Sequence, residues 1–178
     1  MNMHIDEQNA CKDIVQRMLK VRSYLNEKDY PAFCDIPAWY DFLKDIKTIQ
    51  GNFNNDISFL ATMLAKQYLE QNYGLGNFNA AEKAQVAPGL DIDVRLSDGR
   101  RLVAEIKTTY PYKPNDLGAQ QINTFKKDFA KLFQAKADIK LFLLTERKTF
   151  ELMKHAKYRS QLQNVQIVLL PTGEEFLA

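Results

Sequence analysis

The chain has 178 residues, 46% of them hydrophobic and 26% charged, with a formal net charge of +2. This usage is typical of one globular domain with a sizeable core, and it contains no apolar run long enough for a membrane span. The polar N-terminus is unlike a secretory signal, and only two histidines leave little material for a histidine-rich metal site. We therefore expect a cytoplasmic protein in which Cys11 and Cys34 are free thiols.

The first half of the chain predicts three helices. Apolar residues recur at helical spacing over residues 5–28, and a second helix is expected from near Pro37 through residue 49. Asn and Asp caps favour a third helix over residues 56–72, which ends before Gly74. We interpret residues 1–50 as an N-terminal helical extension packed on a core of residues 51–178, with one domain overall.

A β-hairpin follows these helices. Residues 90–96 alternate strictly between apolar and polar, Asp98-Gly99 is a strong turn signal, and residues 101–108 form the return strand. Because side chains alternate along a strand, one hairpin face carries a charged set. Its members are Asp91, Asp93, Glu105 and Lys107.

The rest of the chain alternates helices with buried strands. Residues 118–137 predict an amphipathic helix, with Ile122, Phe125, Phe129 and Phe133 facing inward. Continuous apolar runs predict strands at 139–145 and 165–171, separated by one helix over residues 146–162. This order predicts an α/β fold with a mixed central sheet flanked by helices.

The charged hairpin face indicates metal chemistry. A cluster of carboxylates repels itself in the absence of a cation, and Mg²⁺ accepts carboxylate, water and phosphate oxygens. Lys107 points to the same face as Glu105, from which it could orient a water molecule or offset charge on a phosphate. A wet hairpin face with cross-strand salt bridges is the alternative.

The stretches PGLDID and VAEIK together resemble the signature of the PD-(D/E)XK nuclease superfamily. The resemblance covers roughly residues 55–170 and implies a restriction endonuclease-like core. It implies that Asp91 or Asp93, with Glu105, binds Mg²⁺, for which Mn²⁺ could substitute, and that Lys107 serves the attacking water. We add the backbone carbonyl of Ile106 as a metal ligand, and the sequence leaves the choice between Asp91 and Asp93 open.

Further candidate residues lie beyond the motif strand. Some nucleases of this superfamily have a glutamine at the start of the next helix, so Gln121 is a candidate catalytic residue and Gln120 a candidate DNA contact, although an ordinary first helical turn explains both equally well. Lys126, Lys127 and Lys131 are expected on the outer side of that helix, the first two as phosphate contacts. Tyr112, in the preceding loop, is a candidate for stacking on DNA.

The charge distribution supports a polyanionic partner. Residues 100–160 carry 14 Lys and Arg against 6 Asp and Glu, although a solvated lysine-rich helix face would look the same. Together these patterns predict a Mg²⁺-dependent DNA endonuclease, of restriction type or the nuclease module of a larger enzyme. A repair or recombination nuclease and a non-catalytic nucleic-acid-binding or assembly domain of the same fold are alternatives. DNA, a second copy of the chain or a restriction complex are the expected partners.

Overall fold

The computed structural model describes residues 2–82 and 89–178. These residues divide into two compact units, Met3–Ile57 and Ser58–Ala178, with Asn2 grouped with the latter. The elements in chain order are α1 (Ile5–Glu27), α2 (Ile36–Gln50), α3 (Phe53–Tyr73), β1 (Ile92–Arg95), β2 (Arg101–Lys107), α4 (Ala119–Gln134), β3 (Ile139–Leu144), α5 (Arg147–Met153), α6 (Ala156–Arg159), β4 (Gln166–Leu169) and β5 (Glu174–Leu177).

The N-terminal unit is an α-helical hairpin in which aromatic packing and ion pairs of Arg17 hold the helices together. The ring of Phe42 in α2 contacts the rings of Tyr24 and Trp39, with centroids 5.5 and 5.8 Å away. The guanidinium of Arg17 donates to both carboxylate oxygens of Asp56 at 2.8 Å. This two-pronged geometry is the strongest form of an arginine–carboxylate pair, so it fixes α1 against the start of α3.

The C-terminal unit is built on a five-stranded mixed sheet in the order β1-β2-β3-β4-β5. β1 and β2 form the antiparallel hairpin, β2 pairs with β3 and β3 with β4 in parallel, and β5 runs antiparallel to β4. The predicted α/β class with a mixed sheet is therefore confirmed. β5, which follows Gly173, was not predicted because its sequence, EEFL, has only two apolar residues.

Helices cover both faces of this sheet. Ala65 and Leu69 of α3 pack against Leu102 and Ala104 of β2 on one face. On the opposite face, the helices α4, α5 and α6 pack against alternate strand residues, among them Val103. Because neighbouring residues of β2 point to opposite faces, the odd-numbered residues from 103 to 107 all turn toward α4.

Two details of the helices differ from the sequence-based expectation. Leu132 takes the inward position of α4, whereas Phe133 is 74% exposed, because only one of these adjacent residues can follow Phe129 on the buried stripe. The expected helix over residues 146–162 is divided into α5 and α6. His155 interrupts it with an extended backbone, and the hydroxyl of Tyr158 in α6 then reaches Asp116.

Within the two described ranges, no helix combines the length and apolar character that crossing a lipid bilayer requires. Both cysteines are free thiols, Cys34 exposed and Cys11 half-buried.

Candidate active site

The hairpin places the predicted charged residues on its α4 side. Ile92 pairs with Ala104 and Asp93 with Val103, so the same register, continued by one residue, sets Asp91 opposite Glu105. Val103 lies in the core on the α4 face of the sheet. The charged end of the hairpin therefore faces α4, and residues of that helix decide what surrounds it.

Asp91 is held by the backbone of the neighbouring strand. The N–H of Ile106 donates to Oδ2 of Asp91 at 2.8 Å, and the side chain remains exposed. We find no second hydrogen bond to this carboxylate from the two ranges that the structure describes. Because the side chain is exposed, a ligand can approach it from solvent. The role of the Ile106 carbonyl as a metal ligand stays a prediction.

Asp93, two residues further along the same face, has a different partner. Its two oxygens accept from Nε and Nη2 of Arg101 at 2.9 and 2.7 Å, in a two-pronged pair across the hairpin. Arg101 also donates to the carbonyl of Lys136, which ties this pair to the loop after α4. Asp93 is thus engaged in a cross-strand salt bridge, and the geometry favours Asp91 for a metal.

Glu105 is the most unusual carboxylate in the hairpin, because it is only 1% exposed. Burial raises its pKa to about 8, and the nearby charge of Asp91 adds to this effect. The ammonium of Lys131, whose Nζ lies 3.0 Å from Oε1, offsets part of it. A buried acid next to a second acid is therefore a position where additional positive charge is favourable.

Lys107 and Lys131 both contact an acid that the sequence analysis did not single out. Asp128 of α4 is 4% exposed, and its Oδ2 lies 2.6 Å from Nζ of Lys107. Its Oδ1 lies 3.2 Å from Nζ of Lys131. The expectation that Lys131 lies on the outer side of α4 is wrong, because its ammonium turns toward Glu105 and Asp128.

The pKa of Lys131 reflects this position. Burial by itself would lower it, but the carboxylates of Glu105 and Asp128 outweigh that effect and raise it above the usual value for lysine. The site therefore joins three acids to two lysines in the order Glu105, Lys131, Asp128, Lys107, with Asp91 across the hairpin from Glu105.

Asp128 and Lys131 could have been recognised from the helical spacing. Phe125 and Leu132 are buried in α4, and Asp128 lies three residues after the first and four before the second. An acid at that spacing belongs to the inward stripe, where a lone carboxylate is unfavourable unless it is paired. The lysine three residues later is its natural partner on a helix surface.

Gln121 supports the loop that precedes α4. Its side-chain Nε2 donates to the carbonyl of Tyr110 at 2.7 Å, and its Oε1 accepts from the backbone N–H groups of Tyr112 and Gly118. These bonds close the loop over the first turn of α4, so the side-chain amide of Gln121 has a structural role. Gln120 is exposed beside it. The catalytic and DNA-binding roles expected for these glutamines stay predictions.

The remaining candidate DNA contacts are open to solvent. Tyr112 is 87% exposed at the tip of the same loop. Lys126 and Lys127 are exposed on α4, and neither forms an ion pair with a residue in the described ranges. These three side chains are therefore accessible to a large ligand, as a nucleic-acid contact requires.

The residues present fit a hard divalent cation held jointly with a substrate. In the described ranges, no three or more side chains among His, Cys, Asp and Glu are grouped around a metal position. Mg²⁺, however, is usually bound through one or two carboxylates together with water and substrate phosphates. Asp91 and the buried Glu105 supply that number, and the raised pKa of Glu105 is consistent with added positive charge being favourable at that carboxylate.

Comparison with models of known protein families finds no match to this chain, and comparison with curated protein sequences finds none either.

Proposed function

We propose that this chain is a Mg²⁺-dependent deoxyribonuclease of the restriction endonuclease-like class, which hydrolyses phosphodiester bonds at the α4 side of the hairpin. The observation that carries the proposal is the pair of Asp91 and Glu105, opposed across the hairpin with Lys107 on the same face. Their order and spacing match the PD-(D/E)XK pattern that the sequence resembles. The buried position of Glu105 gives the pair a chemical reason to take up a cation.

Each residue would have a separate task. Asp91 and Glu105 would hold the metal, which when bound would lower the pKa of a water and offset charge on the phosphate oxygens. Lys107 would donate a hydrogen bond to the attacking water and to the oxygen that gains charge. Lys131, whose side chain is 40% exposed, would move away from Glu105 so that Glu105 could bind the metal. It would keep its contact with Asp128.

The exposed cations of the C-terminal unit support DNA as the substrate. Lys126 and Lys127 project from the same helix that carries Asp128 and Lys131, and Tyr112 projects from the loop before it. Contacts between lysines and phosphates give affinity that is independent of base sequence and that falls with salt. The net excess of positive charge over residues 100–160 also favours a polyanionic partner such as DNA.

The test is a cleavage assay on four forms of DNA. Supercoiled plasmid, linear duplex, single-stranded and branched DNA are each incubated with Mg²⁺, Mn²⁺ or EDTA, and product ends are examined by labelling. We expect metal-dependent cleavage that leaves 5′-phosphate and 3′-hydroxyl ends, as the resemblance implies. The form that is cut would separate a restriction enzyme from a repair or recombination nuclease.

The matched variants are Lys107→Ala and Lys12→Ala. Lys12 is an exposed lysine of α1 that is distant in sequence from the hairpin motif, so its loss should leave cleavage unchanged. Loss of Lys107 should lower cleavage by about 10²–10³-fold, which is typical for one stabilising hydrogen-bond donor. DNA binding should persist, and circular dichroism is the control for folding. Equal cleavage by Lys107→Ala and wild type would place the chemistry elsewhere.

One feature favours a non-catalytic nucleic-acid-binding domain as the second candidate. Both site lysines are engaged with carboxylates, and Lys107 is mostly buried against Asp128. Such a network also neutralises itself without a metal. If the wild-type protein binds DNA in a salt-dependent manner but cuts none of the four forms with either metal, this binding function replaces the nuclease.

A further inference from the structure

We propose that Asp128 is a positioning residue for Lys107: its buried carboxylate holds the ammonium of Lys107 at a fixed place on the sheet face beside Glu105. The inference rests on the proposed function, because the value of a fixed Lys107 lies in the hydrolysis assigned to it there. It adds a residue from α4 to a site that the motif itself confines to the hairpin.

The burial of Asp128 is the first observation. Asp128 lies on the inward side of α4, 4% exposed, among buried apolar residues of the same helix that include Phe125, Phe129 and Leu132. Moving a carboxylate from water into such surroundings is costly unless a cation compensates it. An acid of this kind needs a close partner, and the partner in turn loses its freedom to move.

The second observation is how its two oxygens are used. Oδ1 faces Nζ of Lys131 at 3.2 Å, and Oδ2 faces Nζ of Lys107 at 2.6 Å. Oδ2 is buried and accepts no hydrogen bond of regular geometry from the described residues. The positive charge of Lys107 is therefore what compensates this oxygen, and the side chain of Lys107, 17% exposed, is drawn toward α4.

Holding Lys107 in this way matters for chemistry. A lysine side chain has four rotatable bonds, so an unrestrained ammonium would sample many positions around the phosphate. A displacement of about 1 Å in a reacting group can cost about a hundredfold in rate. Asp128 removes much of that freedom before the substrate arrives, since α4 and β2 are both fixed in the core.

Asp128→Asn tests the role, because it keeps the side-chain volume and removes the charge. We expect kcat for DNA cleavage to fall by about 10–100-fold, with KM nearly unchanged, because DNA affinity depends on many phosphate contacts. Asp41→Asn, an exposed acid of α2, is the matched control and should cleave like wild type. A similar loss with Asp41→Asn, or no loss with Asp128→Asn, would contradict the role.

A double-mutant cycle separates positioning from a general effect on the fold. If Asp128 acts through Lys107, Asp128→Asn should cause no further loss of cleavage in a protein that already carries Lys107→Ala. Equal losses in the two backgrounds would overturn the inference. Asp128→Glu, which keeps the charge but moves the carboxylate by one methylene, should fold like wild type and cleave more slowly. If that variant cleaves like wild type, Asp128 only compensates the charge of Lys107 and does not position it.

A readout without DNA keeps the inference separate from the nuclease proposal. Lysines of the metal-free protein are labelled with formaldehyde and a borohydride reductant, and the rate at Lys107 is followed by mass spectrometry. Lys107 should react several-fold faster in Asp128→Asn than in wild type or Asp41→Asn. Equal rates would overturn the inference even if DNA is cleaved. A faster rate in the variant, with no cleavage by wild type, would support the contact and reject the nuclease.

Discussion

The hairpin has two charged ends that look alike in sequence and differ in structure. At the turn end, Asp93 forms a partly exposed pair with Arg101 across the strands. At the other end, Asp91 stands opposite Glu105, which is buried beneath α4 and has a raised pKa. An exposed pair in water contributes little, whereas a buried acid beside another acid is strongly affected by any added cation. We therefore expect the reaction at the end of the hairpin with Asp91 and Glu105, and not at the turn end.

Within this comparison, the largest expected effect is the difference in cleavage between a variant that lacks the Asp91 carboxylate and one that lacks the Asp93 carboxylate. Asp91→Asn should lower metal-dependent cleavage by about 100-fold, because it would withdraw one of the two carboxylates proposed to bind the cation. Asp93→Asn, two residues away and identical in chemistry, should cleave like wild type and lose less than about 1 kcal/mol of stability. The prediction is checked by measuring the cleavage rate and the urea unfolding curve of each variant. A greater loss of cleavage with Asp93→Asn would reverse the assignment of the two ends.

The second prediction concerns pH and the stability of the metal-free protein. The pKa of Glu105 is raised from 4.5 to about 8 on folding, so between these values the folded state keeps a proton that the unfolded state has lost. The free energy of unfolding should therefore be greatest, as far as this group is concerned, below pH 4.5. It should fall as the pH rises from 4.5 towards 8, by about 1.4 kcal/mol for each pH unit.

Glu105→Gln supplies the control for this titration. The variant has no acid to titrate at this position, so the difference in unfolding free energy between it and wild type should widen from pH 5 to pH 8. Saturating Mg²⁺ should reduce that difference at pH 8 by binding the folded wild-type site. Urea unfolding across the pH series measures both quantities. A difference that is constant with pH would show that Glu105 is ionised throughout.

The third and smallest effect extends the comparison to the outer side of α4. Reversing the charge at Lys126 and Lys127 should weaken DNA binding by about tenfold and reduce the slope of affinity against salt by about two, one for each lysine. Reversal at Lys12 and Lys20, exposed lysines of α1, is the matched control and should change neither. If both pairs of changes have equal effects, the α4 lysines form only a solvated face.

The local chemistry of the hairpin explains how far the sequence could predict it. Strict alternation over residues 90–96 and the Asp98-Gly99 turn determine which side chains share a face, because each strand residue points opposite to its neighbours. The face that Glu105 and Lys107 share follows from this alternation alone. The choice between Asp91 and Asp93 does not, because both lie on that face and only their partners distinguish them, Arg101 for Asp93 and the backbone N–H of Ile106 for Asp91.

The sequence by itself determined the α/β class, the hairpin and the four residues of its charged face, since these follow from the periodicity of neighbouring residues. Only the tertiary structure decided that Asp128 and Lys131, more than 20 residues beyond Glu105 along the chain, complete the site. It also decided that Leu132 and not Phe133 is buried. The physical reason is that burial and ion pairing depend on which helix side packs onto the sheet, and that packing is a property of the whole core.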